Sequence, residues 1–172
     1  MDIKAILIDK QLKAKAKTET ISNMLLESKI NISELIQVAQ SLKDPDKATC
    51  IEAIEFATKT KPAIASPLCL DFVSKTLAEK APRIKWESAK VIGNIAHLYP
   101  KKLDDAIKNL LINTEHTGTV VRWSAAFALG EIIKLKTNLN KDLIPAVESI
   151  CQREEKNSIK KIYVAALKKT AV

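Results

Sequence analysis

Glycine is close to missing from this chain, with three in 172 residues, and only 4% of residues are aromatic. Sheet-based folds need turn glycines and alternating β-branched or aromatic runs, so this scarcity argues for helices. Long hydrophobic runs are missing too. The longest, such as AAFAL at 125–129, fall far short of the roughly 20 residues that span a bilayer. The opening MDIKAILIDKQ has an acid at position 2 and no apolar core followed by a cleavage site, so no secretory signal is expected. His97 and His116 are the only histidines, and neither has a cysteine or a second histidine at ligand spacing. No metal or other cofactor is expected. Cys50, Cys69 and Cys151 share no motif spacing and read as reduced, buried thiols of a cytoplasmic protein. Catalytic signatures are missing as well: there is no glycine-rich phosphate loop, no G-x-S-x-G and no Cys in register with a His. The acid pairs Asp104-Asp105 and Glu154-Glu155 read as solvated helix-surface charge. The chain is therefore expected not to be an enzyme.

What the chain does have is a balance of 47% apolar and 28% charged residues, which favours one folded unit able to bury roughly 70% of its unfolded surface. Its net charge of +8 biases it toward acidic partners, although lysines spread along the chain also suit solvated helix faces.

The most informative feature is a near-duplication. RIKWESAKVIGNI at 83–95 and VVRWSAAFALGEI at 120–132 place Trp86 against Trp123 and Gly93 against Gly130, both at an offset of 37. One period on, SIKKIYVAAL aligns Lys160 with Arg122. One period back, DKATCIEAI aligns Lys47 with Lys85. A basic residue thus recurs at Lys47, Lys85, Arg122 and Lys160, and such a period is the mark of a stacked array. Between these segments lie helices with their own start signals. Asn31 and Glu34 have capping-box spacing, Ser66-Pro67 is a cap followed by a first-turn proline, and further starts are expected at Pro100 and Asn140. The spacing predicts helical hairpins over 31–62, 66–98, 100–136 and 140–172, closed by an N-terminal helical cap over 1–30, in a single domain over 1–172. Asp2 is positioned to cap the first helix.

VVRWSAAFALG resembles the second-helix signature of the HEAT repeats, a Val-Arg pair followed by small residues and Ala-Leu-Gly. Pro145, inside its helix, is similar to the proline that kinks the first HEAT helix. The resemblance covers residues 31–172 and is looser before 83, where Lys47 lacks a preceding Val and Glu55 replaces the glycine. It implies an all-α, right-handed α-α superhelix, a HEAT-like solenoid of about four hairpins plus the cap. It also implies a ladder in which an acid about six residues before the basic residue ties neighbouring units together. Glu79 precedes Lys85 and Glu154 precedes Lys160 at that spacing, whereas Arg122 has His116 with Glu115 beside it, and Lys47 has Ser41.

A helical projection of 120–132 turns Val121, Ala125, Ala128, Leu129 and Ile132 to one side, the core. Trp123, Ala126, Phe127, Gly130 and Lys134 fall on the other. The corresponding residues elsewhere are Trp86, Ala89, Lys90, Gly93 and His97, then Lys161, Val164, Ala165 and Lys168, then Ala48, Ile51, Glu52, Glu55 and Lys59. Second helices line the concave side of such arrays, so these residues are expected to form its floor. Each Trp either seals the seam between units over a lysine or arginine stem, or belongs to a groove for a partner. The candidate partner-binding residues are Trp86, Lys90, His97, Trp123, Phe127, Lys134, Lys161 and Lys168. The expected function is a non-catalytic protein-protein interaction scaffold for a protein or acidic peptide, monomeric and not bound to membrane. The alternative is a nucleic-acid-binding protein using the basic, aromatic groove. DNA-alkylation-repair glycosylases use a related scaffold with a catalytic carboxylate, but Lys90 and Phe127 stand one turn after the tryptophans, which leaves that activity without its acid.

Overall fold

The computed structural model describes residues 2–170, so the expected outer boundaries at Met1 and Val172 lie outside the described residues. Among the described residues the ordered elements are all helical. They are α1 (Ile3–Ile8), α2 (Ala14–Leu26), α3 (Ile32–Gln40), α4 (Asp46–Thr60), α5 (Pro67–Thr76), α6 (Pro82–Ile95), α7 (Asp104–Asn113), α8 (Thr119–Ile133), α9 (Asn140–Arg153) and α10 (Asn157–Thr170). Single 3-10 turns occupy Pro62–Ile64 and Ala96–Leu98.

Local chemistry sets several of these boundaries. The Asn31 side chain accepts from the Glu34 N–H at 2.9 Å while the Asn31 N–H donates to the Glu34 carboxylate at 2.7 Å, a reciprocal pair that opens α3. Ser66 caps α5, with Pro67 at a position whose missing N–H is harmless. Asp2 caps α1 by accepting from the Lys4 N–H at 3.0 Å. One expected start is wrong: α7 begins at Asp104, not at Pro100. The residues before it form a turn, and Asp104 and Asp105 place negative charge in the first helical turn, where the helix dipole favours it.

Two rows result. The even-numbered helices pack side by side from α2 to α10, and α2 joins that row by packing on α4. The odd-numbered helices form the other row from α1 to α7, but α9 barely touches α7 and packs instead on α10 and α8. The core runs continuously between the rows, through fully buried Leu35, Ile54, Leu70, Ile92, Leu110, Leu129 and Ile159. Cys50, Cys69 and Cys151 are all buried free thiols.

Candidate interaction surface

Three of the recurring basic residues reach forward toward the next unit. Lys47 pairs with Glu79 at 2.9 Å and Arg122 with Glu154 at 3.0 Å. Lys85 donates to the Leu77 carbonyl and to the Asn113 side chain, so an amide stands where the other rungs have an acid. The Lys160 side chain has no acid partner among the described residues, and Glu115 pairs with Arg153 instead of with Arg122. Arg122 also donates to the His116 and Thr117 carbonyls. Glu154 is not the solvated surface acid expected. It is 8% exposed and caps the end of α9. Burial pushes its pKa up, but bonds from Arg122 and the Lys156 N–H outweigh that and hold it below the ordinary value.

The expected concave floor needs a correction. Ala48, Ile51, Glu55, Ala89, Gly93, Ala126 and Gly130 are buried rather than lining an open surface. The even-numbered helices pack against one another, so the flanks of each outward arc are covered by the neighbouring helix. At Gly93 an added Cβ would lie 2.3 Å from Phe127 Cε1, so the missing side chain makes room for the Phe127 ring. At Gly130 the nearest atoms would be Ala166 Cβ at 3.3 Å and Ile162 Cγ2 at 3.6 Å, which is a close helix crossing.

The basic character of the floor is also redistributed. The Lys90 ammonium stands 2.8 Å from Glu87 Oε2 and 3.7 Å from Glu55 Oε2. It neutralises Glu87 Oε2 even though the angle leaves that oxygen without a well-directed hydrogen bond. The other Glu87 oxygen accepts from the Trp86 indole at 2.7 Å. Burial raises the Glu87 pKa against the pull of Lys90 and Trp86. Arg83 pairs with Glu52, which also accepts from the Thr18 hydroxyl at 2.9 Å. Asn94 donates to the Glu55 carbonyl and the Thr58 hydroxyl. The α4–α6 seam is therefore a charge and amide network. The partners of Glu87 stand one and three residues away on the same helix, and what a sequence does not show is that packing between helices buries this acid.

Toward α8 and α10 the surface differs. Trp123 is 39% exposed, and its indole N–H makes no hydrogen bond among the described residues. It stacks on Phe127 with centroids 6.0 Å apart and planes 10° from parallel. Val164 is also 39% exposed. Lys161 and Lys168 are exposed and have no acidic partner among the described residues, whereas Lys134 pairs with Glu131 within its own helix. His97 is exposed at the end of the α6 unit. Trp123, Phe127, Lys161 and Lys168 thus share the α8–α10 end, while Trp86 and Lys90 belong to the α4–α6 network.

A separate concavity of about 500 Å³ lies between α7 and α9, floored by Ile107, Leu111, Leu139 and Leu143. It exists because this seam is loosely joined. Asn109 and Asn113 tie α7 to the Ser74 and Leu77 carbonyls of the α5 unit, whereas on α9 Ser149 accepts from Arg153 of the same helix. Among the described residues no group of His, Cys, Asp and Glu could hold a metal ion, and no helix is long and apolar enough to cross a membrane.

No protein-family model and no curated protein matches this chain. Solved structures do. A designed armadillo repeat protein in complex with a (KR)4 peptide matches over 98% of this chain and 80% of its own, at TM-score 0.69 and 17% identity. A computationally designed armadillo repeat protein for modular peptide recognition matches over 97% and 80%, at TM-score 0.73 and 18% identity. The complex of CpcE and CpcF of phycocyanin lyase from Nostoc sp. PCC7120 matches over 96% and 97%, at TM-score 0.71 and 16% identity. The fold is an armadillo/HEAT-type helical solenoid. The HEAT-like fold expected from the repeat is borne out.

Proposed function

We propose that this protein is a non-catalytic, monomeric, cytoplasmic interaction scaffold that holds a protein or peptide partner on its even-numbered helices. The observation that carries the reading is the Trp123–Phe127 stack, left open on that row beside unpaired lysines. Aromatic residues of this kind anchor interfaces because they bury about 150–250 Å² each. The matched fold includes designed proteins described as peptide binders, which agrees with this choice. A lyase also shares the fold, but burial pushes the Cys50 and Cys69 thiols up to about 12, which leaves neither with thiolate to act as a nucleophile at neutral pH. The monomer reading draws on Lys161 and Lys168, which take the register places of Trp123 and Gly130 on α10. A second copy stacked there would have to bury both ammonium groups.

Replacing Trp123 with alanine is expected to abolish partner capture while helicity is unchanged. Capture that survives this substitution contradicts the reading. Nucleic-acid binding draws less support, because Lys90 and Lys134 are engaged by acids and leave no continuous cationic track.

A further inference from the structure

Resting on the scaffold reading, we propose that the partner is an acidic protein segment with one aromatic or branched apolar anchor, bound across α8 and α10. The charge argument comes from which cations are already spent. Along the row, Arg83 is paired with Glu52, Lys90 with Glu55 and Glu87, and Lys134 with Glu131. On α10 no aspartate or glutamate occurs between 157 and 170, and Lys161, Lys168 and Lys169 are exposed with no acidic partner among the described residues. Lys59 on α4 is also exposed without an acidic partner among the described residues, beside exposed Phe56, but α10 gathers three such lysines next to Trp123 and Val164. An acidic segment gains there, and a basic one is repelled.

The anchor follows from the shape between the two helices. Gly130, Ala165 and Ala166 supply almost no side-chain bulk, and with Ile162 they floor a cleft of about 240 Å³ rimmed by Lys169 and the Lys134–Glu131 pair. That is smaller than the roughly 300–1,000 Å³ of sites for drug-sized molecules. It suits a single side chain of a longer segment that then runs past Val164 and Trp123. The α4–α6 end offers no equivalent, because Glu55 fills the register place of Gly130 and its charge is locked to Lys90.

The test uses the full chain and its intrinsic tryptophan fluorescence, with four probes. These are a glutamate-rich peptide carrying one phenylalanine, the same peptide with lysine for glutamate, the same with alanine for phenylalanine, and a single-stranded oligothymidylate. The acidic phenylalanine peptide is expected to bind saturably, with affinity falling several-fold as salt rises through the physiological range. Joint substitution Lys161→Glu, Lys168→Glu and Lys169→Glu is expected to weaken it roughly tenfold or more. These side chains are exposed, so circular dichroism should be unchanged, and the salt dependence of the unaltered chain reads the same effect independently. Loss of the phenylalanine should weaken binding as well. Equal or tighter binding of the lysine peptide or the oligothymidylate, or no saturable binding of the acidic probe, overturns the proposal. The two readings fail separately. A captured partner lost on Trp123→Ala but kept by the triple glutamate variant sinks only the acidic-segment proposal, and one kept by Trp123→Ala sinks the scaffold face itself.

Discussion

The α4–α6 seam and the α6–α8 and α8–α10 seams solve one packing problem in opposite ways. At one register position, α4 carries Glu55, α6 carries Gly93, α8 carries Gly130 and α10 carries Lys168. Where the residue is an acid, the seam closes by charge, with Glu55 and Glu87 sharing Lys90. Where it is glycine, the seam closes by shape, with Phe127 lying over Gly93 and α10 against Gly130. Charge used inside a seam is no longer available to a partner. The polar seam therefore silences its own stretch of the row, while the glycine seams leave Trp123 and the α10 lysines outward. One repeat unit thus supplies both structural glue and candidate binding surface, depending on a single position.

The largest expected effect comes from dismantling the polar seam. Lys90→Met leaves Glu55 and Glu87 facing each other without a counter-charge. It should cost about 2–4 kcal/mol at neutral pH, somewhat under the value for a fully buried pair because Lys90 is 24% exposed. The Glu87 pKa is already raised, so its protonated form is the one folding favours, and the penalty appears as pH rises through the folded pKa. Urea melts of Lys90→Met should accordingly show a smaller deficit at pH 5 than at pH 7. An equal deficit at both would break the assignment.

Next comes the rung at the other end of the array. The Glu154 pKa is lowered, so its stabilisation is present above the unfolded value near 4.5 and is lost as pH falls below it. Glu154→Gln should cost about 1–2 kcal/mol at pH 7 and flatten the acid limb of the stability profile, as read by thermal melts across pH. Gly93→Ala should cost about 1–2 kcal/mol. The displaced Phe127 ring outweighs the roughly 1 kcal/mol that alanine brings to a helix, and the Trp123 near-UV signal should change with it. Gly130→Ala is the milder counterpart, within about 0.5 kcal/mol of the parent, because the tight approach to Ala166 Cβ is relieved by a small shift and is offset by the helix propensity of alanine. Equal effects at the two glycines would show that the seams do not differ as described.

The two-row architecture was legible because hydrophobic periodicity, the Asn31–Glu34 box and the Ser66-Pro67 start are local signals that packing does not override. The start of α7 was not. Proline at 100 reads as a helix opener, yet the chain turns again before Asp104, with no glycine or side-chain cap to mark it. A helical projection separates residues facing the odd-numbered row from those facing away. It holds no information on how far adjacent even-numbered helices cover the outward arc, which is why Ile51 and Gly130 were placed on a floor when they lie in seams. The Glu55 partner of Lys90 was hidden for a related reason. Glu55 lies a full unit earlier in the chain, and no spacing rule within one helix reports it. The inter-unit ladder was legible from the acids at Glu79 and Glu154, but spacing alone did not say that each serves the base of the preceding unit, Lys47 and Arg122.

Photo-crosslinking in cells tests most directly which face meets the partner. A benzophenone amino acid placed at Val164, on the α8–α10 end, is compared with one at Ala146, in the α7–α9 concavity. A discrete protein adduct is expected from position 164 that disappears when Trp123 is replaced by alanine, and none is expected from position 146. An adduct from 146 alone, or one from 164 indifferent to Trp123, would contradict this placement of the partner.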